Sequence, residues 1–130
     1  MKLDLKELIS KLVNTPMVIE EGTSGIWTYR KWNSGVVECW GISTKTAAIT
    51  TTWGNGYVSP LLSDSFPVDL FISKPSAVSI FPAGSVSIML VNGAPDDITK
   101  DGIKYYLFRP GTTANSLTYS IHINAIGAWK

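Results

Sequence analysis

Residues 27–41 read WTYRKWNSGVVECWG, and their reading decides the fold. Two runs of aromatic and β-branched side chains flank Asn33-Ser34-Gly35. That spacing predicts two antiparallel strands joined by a short hairpin turn in which the glycine supplies a positive φ. In a strand, successive side chains point to opposite faces. WTYRKW therefore sends Trp27, Tyr29 and Lys31 to one side and Thr28, Arg30 and Trp32 to the other. Each side holds a tryptophan and a cation, so at least one of these tryptophans is expected to do something other than fill a core.

The same texture continues outward from the hairpin. MVIEE, AAITTT, PVDLFIS, AVSIF, SVSIMLV, IKYYLF and LTYSIHINAI recur between Gly, Pro, Asn or Ser residues. Their starts lie roughly ten residues apart, the spacing of an all-β sandwich or barrel. Three runs alternate clearly: Val68, Leu70 and Ile72 against Asp69, Phe71 and Ser73; Val86, Ile88 and Leu90 against Ser85, Ser87 and Met89; Tyr119, Ile121 and Ile123 against Ser120, His122 and Asn124. TTWGNGYVSP, residues 51–60, reads as a glycine-flanked loop.

Only residues 3–13 carry a helical pattern. Leu5, Leu8, Ile9 and Leu12 form one apolar stripe, opposite Lys6, Glu7, Ser10 and Lys11. Asn14-Thr15-Pro16 ends it, because a residue before proline is pushed out of the helical region. A helix of about three turns is marginal alone. Its stripe must bury against the domain or against copies of itself, and fewer than two heptads leave both readings open. The chain divides into an N-terminal helical stub, 1–16, and a β domain, 17–130.

Composition excludes several classes of function. Charged residues are 16% of the chain, against about 25% in an average soluble domain. Serine and threonine are abundant instead, at 14 and 12. A formal net charge of +1 offers nothing to steer the chain towards nucleic acid or an anionic membrane. Sparse charge with many hydroxyls suits a surface that reads neutral polar ligands, or one hidden in subunit contacts. Cys39 is the only cysteine, so no intrachain disulfide and no thiolate metal site can form. MKLDLKELISKL lacks the signal-peptide pattern, and the longest apolar runs are far short of a membrane span.

Catalytic equipment is thin. Cys39 and His122 are the one thinkable nucleophile–base pair, and Cys39 in VVECWG looks like a small buried residue. One histidine does not build a zinc site, and neither metal nor cofactor is expected. Asp96, Asp97 and Asp101 cluster in GAPDDITKDG, a turn-rich loop whose carboxylates are expected to be solvated or to satisfy turn amides. The aromatic residues are two-edged, since tryptophan and tyrosine anchor both cores and interfaces. Trp53 and Tyr57, in their glycine-flanked stretch, are the best candidates for rings left free to stack on a sugar. Asn55, Asp96 and Asp97 are candidate hydroxyl partners.

GTSGIWTYRKWNSGVVECWG at 22–41, Phe66-Pro67 and the terminal AIGAWK at 125–130 together carry a resemblance. The chain resembles the C-terminal domain of bacteriophage and prophage tail-fibre or minor tail proteins, most closely those of phages with Gram-positive hosts. The resemblance spans nearly all of residues 17–130. It implies a homotrimeric, jelly-roll-like β-sandwich knob at the tip of a virion appendage, concerned with adsorption to host-surface glycans. On that reading Leu5, Leu8, Ile9 and Leu12 end a three-helix stalk, the hairpin tryptophans are scaffold, and recognition lies in the loops. The expected function is non-enzymatic binding of a host-surface carbohydrate. The rivals are a structural tail piece that contacts other virion proteins, and a cell-wall glycan hydrolase using Asp96 or Asp97.

Overall fold

The computed structural model describes residues 4–94 and 96–130, with the side chains of Leu12 and Val13 outside the described set. One helix, α1 (Leu5–Asn14), precedes ten strands. They are β1 (Val18–Ser24), β2 (Trp27–Trp32), β3 (Val36–Ile49), β4 (Thr51–Trp53), β5 (Gly56–Val58), β6 (Leu62–Ser65), β7 (Ala77–Gly84), β8 (Met89–Val91), β9 (Gly102–Pro110) and β10 (Ala114–Ala128). The architecture is all-β and antiparallel, as the strand texture predicts. Among the described residues no helix is long and apolar enough to cross a membrane.

The first sheet has the order β1-β2-β3-β10-β7, and the second runs β4-β5-β9-β6 with β8 on the other side of β9. The opening hairpin forms as its sequence dictates. Gly35 takes φ +97° and its N–H donates to the Trp32 carbonyl at 3.1 Å, closing the turn. The long β3–β10 ladder runs from Val36↔Ala128 to Ile49↔Ala114 and is the spine of the domain.

Alternation builds the core between the sheets. Val37, Cys39 and Ile49 of β3 face Ile103, Tyr105 and Leu107 of β9, joined by Tyr119, Ile121, Ile123 and Ala125 of β10. Each fully buried aliphatic side chain of this kind stabilises by about 1.5–3 kcal/mol. Trp27 closes one end against Phe66, ring centroids 5.5 Å apart, and donates its indole N–H to the Ser65 carbonyl at 2.8 Å. Trp129 does the same for the hairpin turn, donating to the Trp32 carbonyl at 2.8 Å.

One buried polar cluster ties the sheets together. The Asp64 carboxylate on β6 accepts from the Ser43 hydroxyl at 2.7 Å and from the Tyr105 hydroxyl at 2.8 Å. The Lys45 ammonium lies 3.2 Å away. Burial, then the bond to Asp64, push the Tyr105 phenol up.

Four stretches depart from the sequence reading. PVDLFIS is not a strand. Leu70 and Phe71 are adjacent yet both buried, whereas Val68 is 90% exposed, a pattern that alternation forbids. Pro67 instead opens a turn closed by the Leu70 N–H on its carbonyl at 3.2 Å, with Asp69 at φ +56°. TTWGNGYVSP is a hairpin rather than a loop: β4 and β5 pair, and Gly54 at φ +57° makes the two-residue turn. LLSDS, unremarked in the sequence, supplies β6. In SVSIMLV only Met89–Val91 pairs, although Val86, Ile88 and Leu90 do turn inward of their neighbours.

Candidate functional site

The second sheet presents a cleft of about 630 Å³ on its outer side. Cross-strand pairing fixes which side chains share that face. Trp53 pairs with Gly56, Thr51 with Val58, Val58 with Phe108, and Tyr106 with Val91. In β9, Ile103, Tyr105 and Leu107 point into the core, so Lys104, Tyr106 and Phe108 point out. Trp53 leans edge-on against the Phe108 ring, centroids 5.3 Å apart and planes at 82°, and stays 53% exposed. Glycine at 56 allows this, because the Phe108 ring occupies the space where a Cβ would stand.

Pro60 and Leu61 form one rim. Val58 pairs with Phe108 and Leu62 with Tyr105, so the chain covers four residues where β9 covers three. The extra residue is a bulge, and it pushes Leu61 outward. Ser59 repairs the ladder there: its hydroxyl accepts the Leu107 N–H at 3.0 Å, and its own N–H donates to the Leu107 carbonyl at 2.9 Å.

The loop after β8 forms the other rim. Asp97 Oδ2 accepts the backbone N–H groups of Gly93 and Ala94 at 2.9 and 3.0 Å. Those two bonds, Gly93 first, hold the Asp97 carboxyl below the usual aspartate range, with Lys104 assisting. The loop is therefore shaped by a carboxylate that also lines the cleft.

The sequence candidates separate in space. Trp53 and Asp97 meet in this cleft. Tyr57 sits on the inward face of β5, opposite Thr52 and Arg109, and packs against the core. Asn55 is exposed at the hairpin tip, its carbonyl accepting the Gly111 N–H at 3.1 Å. Asp96 lines a different groove, with Asp64, Asp101 and Lys104. Sequence reasoning passed over Tyr106, Leu61 and Asn92, which share the Trp53 cleft. Alternation in IKYYLF could have found Tyr106, whereas nothing local announces the bulge that exposes Leu61.

Cys39 and His122 do not meet. Cys39 is fully buried between the sheets, and burial pushes its thiol up to about 12. His122 lies on the outer face of the first sheet, stacked on Phe81 at 4.7 Å. That face also carries Trp40, with the Arg30 guanidinium 5.5 Å from its ring, and the exposed Ile42 and Ile126. Leu5, Leu8 and Ile9 of α1 are exposed, while the Leu12 side chain lies outside the described residues. Among the described residues no group of three His, Cys, Asp or Glu side chains could hold a metal ion.

No protein-family model matches the chain, and no curated protein matches it. Two solved structures do. The N-truncated R1-type pyocin tail fibre superposes with a TM-score of 0.60 at 13% identity, covering 97% of this chain and 98% of that one. The chain has a tail-fibre fold. A longer C-terminal piece of the P. aeruginosa R1 pyocin fibre matches at TM-score 0.61 and 12% identity, covering 97% of this chain and 32% of that one. The Gram-positive host type implied by the hairpin resemblance finds no support in these pyocin structures.

Proposed function

We propose that the chain is the receptor-binding tip domain of a phage-type tail fibre, and that it binds a host-surface carbohydrate in the Trp53 cleft. The observation that carries this reading is the match to a tail-fibre structure along nearly the whole length of both chains. The cleft supports the ligand class. A tryptophan face suits the C–H face of a pyranose, while Thr51, Asn92 and Asp97 offer hydroxyl partners. Its volume lies within the range of small-ligand sites. Asp96 and Asp97 line separate cavities, which favours binding over glycan hydrolysis by that pair.

The domain works as a homotrimer in the virion, where it meets other tail proteins. The apolar outer face of the first sheet, with Ile42, Phe81 and Ile126 exposed beside Trp40, is the surface that favours contact with copies or neighbours. Three clefts on one rigid body raise avidity by orders of magnitude when the surface geometry lets them engage together. The test is binding of the full chain to immobilised bacterial surface polysaccharides before and after periodate cleavage of their vicinal diols. Binding that disappears after oxidation, and in Trp53→Ala, is the expected result. Binding indifferent to both overturns the reading in favour of a structural tail piece.

A further inference from the structure

The lining of the Trp53 cleft says more about its ligand than that it is a sugar; this step rests on the function proposed above. Beside its rings, the cleft presents Val58, Pro60, Leu61 and Val91. An ordinary hexose has C–H groups on one face and hydroxyls around its whole edge. Stacked on Trp53, it would press those hydroxyls against aliphatic carbons that give no hydrogen bond, a costly desolvation.

Leu61 sharpens the point. A leucine 49% exposed is held over the cleft by a one-residue bulge, and the bulge is stabilised by Ser59, whose hydroxyl takes up the Leu107 N–H. Bulges re-aim side chains at sites. Here the side chain re-aimed is apolar, so it calls for an apolar group on the ligand. Charge adds a second restriction. Asp97 is the only charged side chain among the described residues lining the cleft; Lys104, which helps to lower its carboxyl, and Lys74, in the adjoining groove, are not among the lining residues. A carboxylate or phosphate on the ligand would meet this anion within the cleft and no cation among the lining side chains.

We infer that the cleft takes a neutral sugar bearing a methyl group, carried on an acetamido or a 6-deoxy position, and turns acidic sugars away. Trp53 stacks on the pyranose, and the methyl group enters the aliphatic corner made by Val58, Leu61 and Val91. Burying one such group against its hydroxyl counterpart discriminates by about tenfold or more.

The test is a titration of the isotope-labelled full chain, followed by the Trp53 indole signal, with methyl glycosides in matched pairs. The pairs are N-acetyl-D-glucosamine against D-glucose, N-acetyl-D-galactosamine against D-galactose, L-fucose against L-galactose and L-rhamnose against L-mannose, with D-glucuronic acid as the acidic probe. The expected result is at least one pair in which the methyl-bearing sugar binds about tenfold tighter, and no shift with glucuronate. Which pair responds tells an acetamido source from a 6-deoxy one. Leu61→Ser, with an unchanged melting temperature as the control that it folds, is expected to bring that pair within about twofold. Equal binding within every pair at Trp53 overturns this inference and leaves the carbohydrate reading standing. Tighter binding of glucuronate also overturns it. No shift at Trp53 with any sugar overturns both.

Discussion

Two hairpins in this molecule use the same parts for opposite ends. Each has a tryptophan and a glycine turn at positive φ, Gly35 in one and Gly54 in the other. In the β2–β3 hairpin one ring is fastened to distant chain, and a ring from the end of the chain is fastened to its turn. Trp27 packs on Phe66 and donates to Ser65, and Trp129 donates to the hairpin's own Trp32 carbonyl. In the β4–β5 hairpin, Trp53 leans on Phe108, and its indole donates to no protein acceptor among the described residues. A ring whose polar atom is satisfied by distant chain holds the fold together. A ring left half open with that atom free is available to a ligand.

The sharpest way to break this contrast is to remove one tryptophan from each hairpin. Trp27→Ala should cost about 3–5 kcal/mol in a urea titration, through the void beside Phe66 and the orphaned Ser65 carbonyl. A loss below about 1 kcal/mol would mean that Trp27 is not scaffold. Asp64→Ala, which leaves the Ser43 and Tyr105 hydroxyls without their buried acceptor, should cost about 1–3 kcal/mol by the same measurement.

Chemical reactivity probes the first region without mutation. With its thiol pushed up to about 12 and its side chain wholly buried, Cys39 should resist alkylation at mildly alkaline pH until the protein unfolds. Fast labelling of the folded chain would contradict its place in the core.

Acid probes the second region. The Asp97 carboxyl is lowered in the folded chain, so its hold on the 93–97 loop is fully present above the ordinary aspartate value of about 3.9. That hold is lost as pH falls through the lowered folded value. Hydrogen exchange at the Gly93 and Ala94 amides, corrected for its intrinsic pH dependence, should therefore lose protection in acid while the β3–β10 amides keep theirs. The smallest effect belongs to Trp53→Ala, which should change stability by less than about 0.5 kcal/mol while removing glycan binding.

Sequence made the first sheet plain and the second obscure, for a physical reason. β3 and β10 are long and alternate over many residues, so period-2 patterning sets both register and inward face. β4, β5 and β8 span three residues each, too few for alternation to accumulate; β5 and β8 pair on β9, and β4 pairs on β5. PVDLFIS failed for the opposite reason: its alternation is real in the letters, but Pro67 and a positive φ at Asp69 bend the chain so that neighbours Leu70 and Phe71 both enter the core. Of the candidate ligand residues, Trp53 was legible from its glycine neighbours, and Asp97 from its turn-rich loop. Tyr57 was misplaced because reading a loop hid the strand parity that turns it inward. Leu61 depends on a register shift against β9, nearly fifty residues away in sequence, which no local pattern records.

The most direct test of the scaffold-and-cleft account is a single titration observed at all five tryptophan indole signals. The probes are neutral oligosaccharides containing acetamido or 6-deoxy sugars, added to the labelled full chain. The account predicts that the Trp53 signal moves while those of Trp27 and Trp129 stay in place. Movement at Trp40 with Trp53 still would put recognition on the outer face of the first sheet and contradict the account.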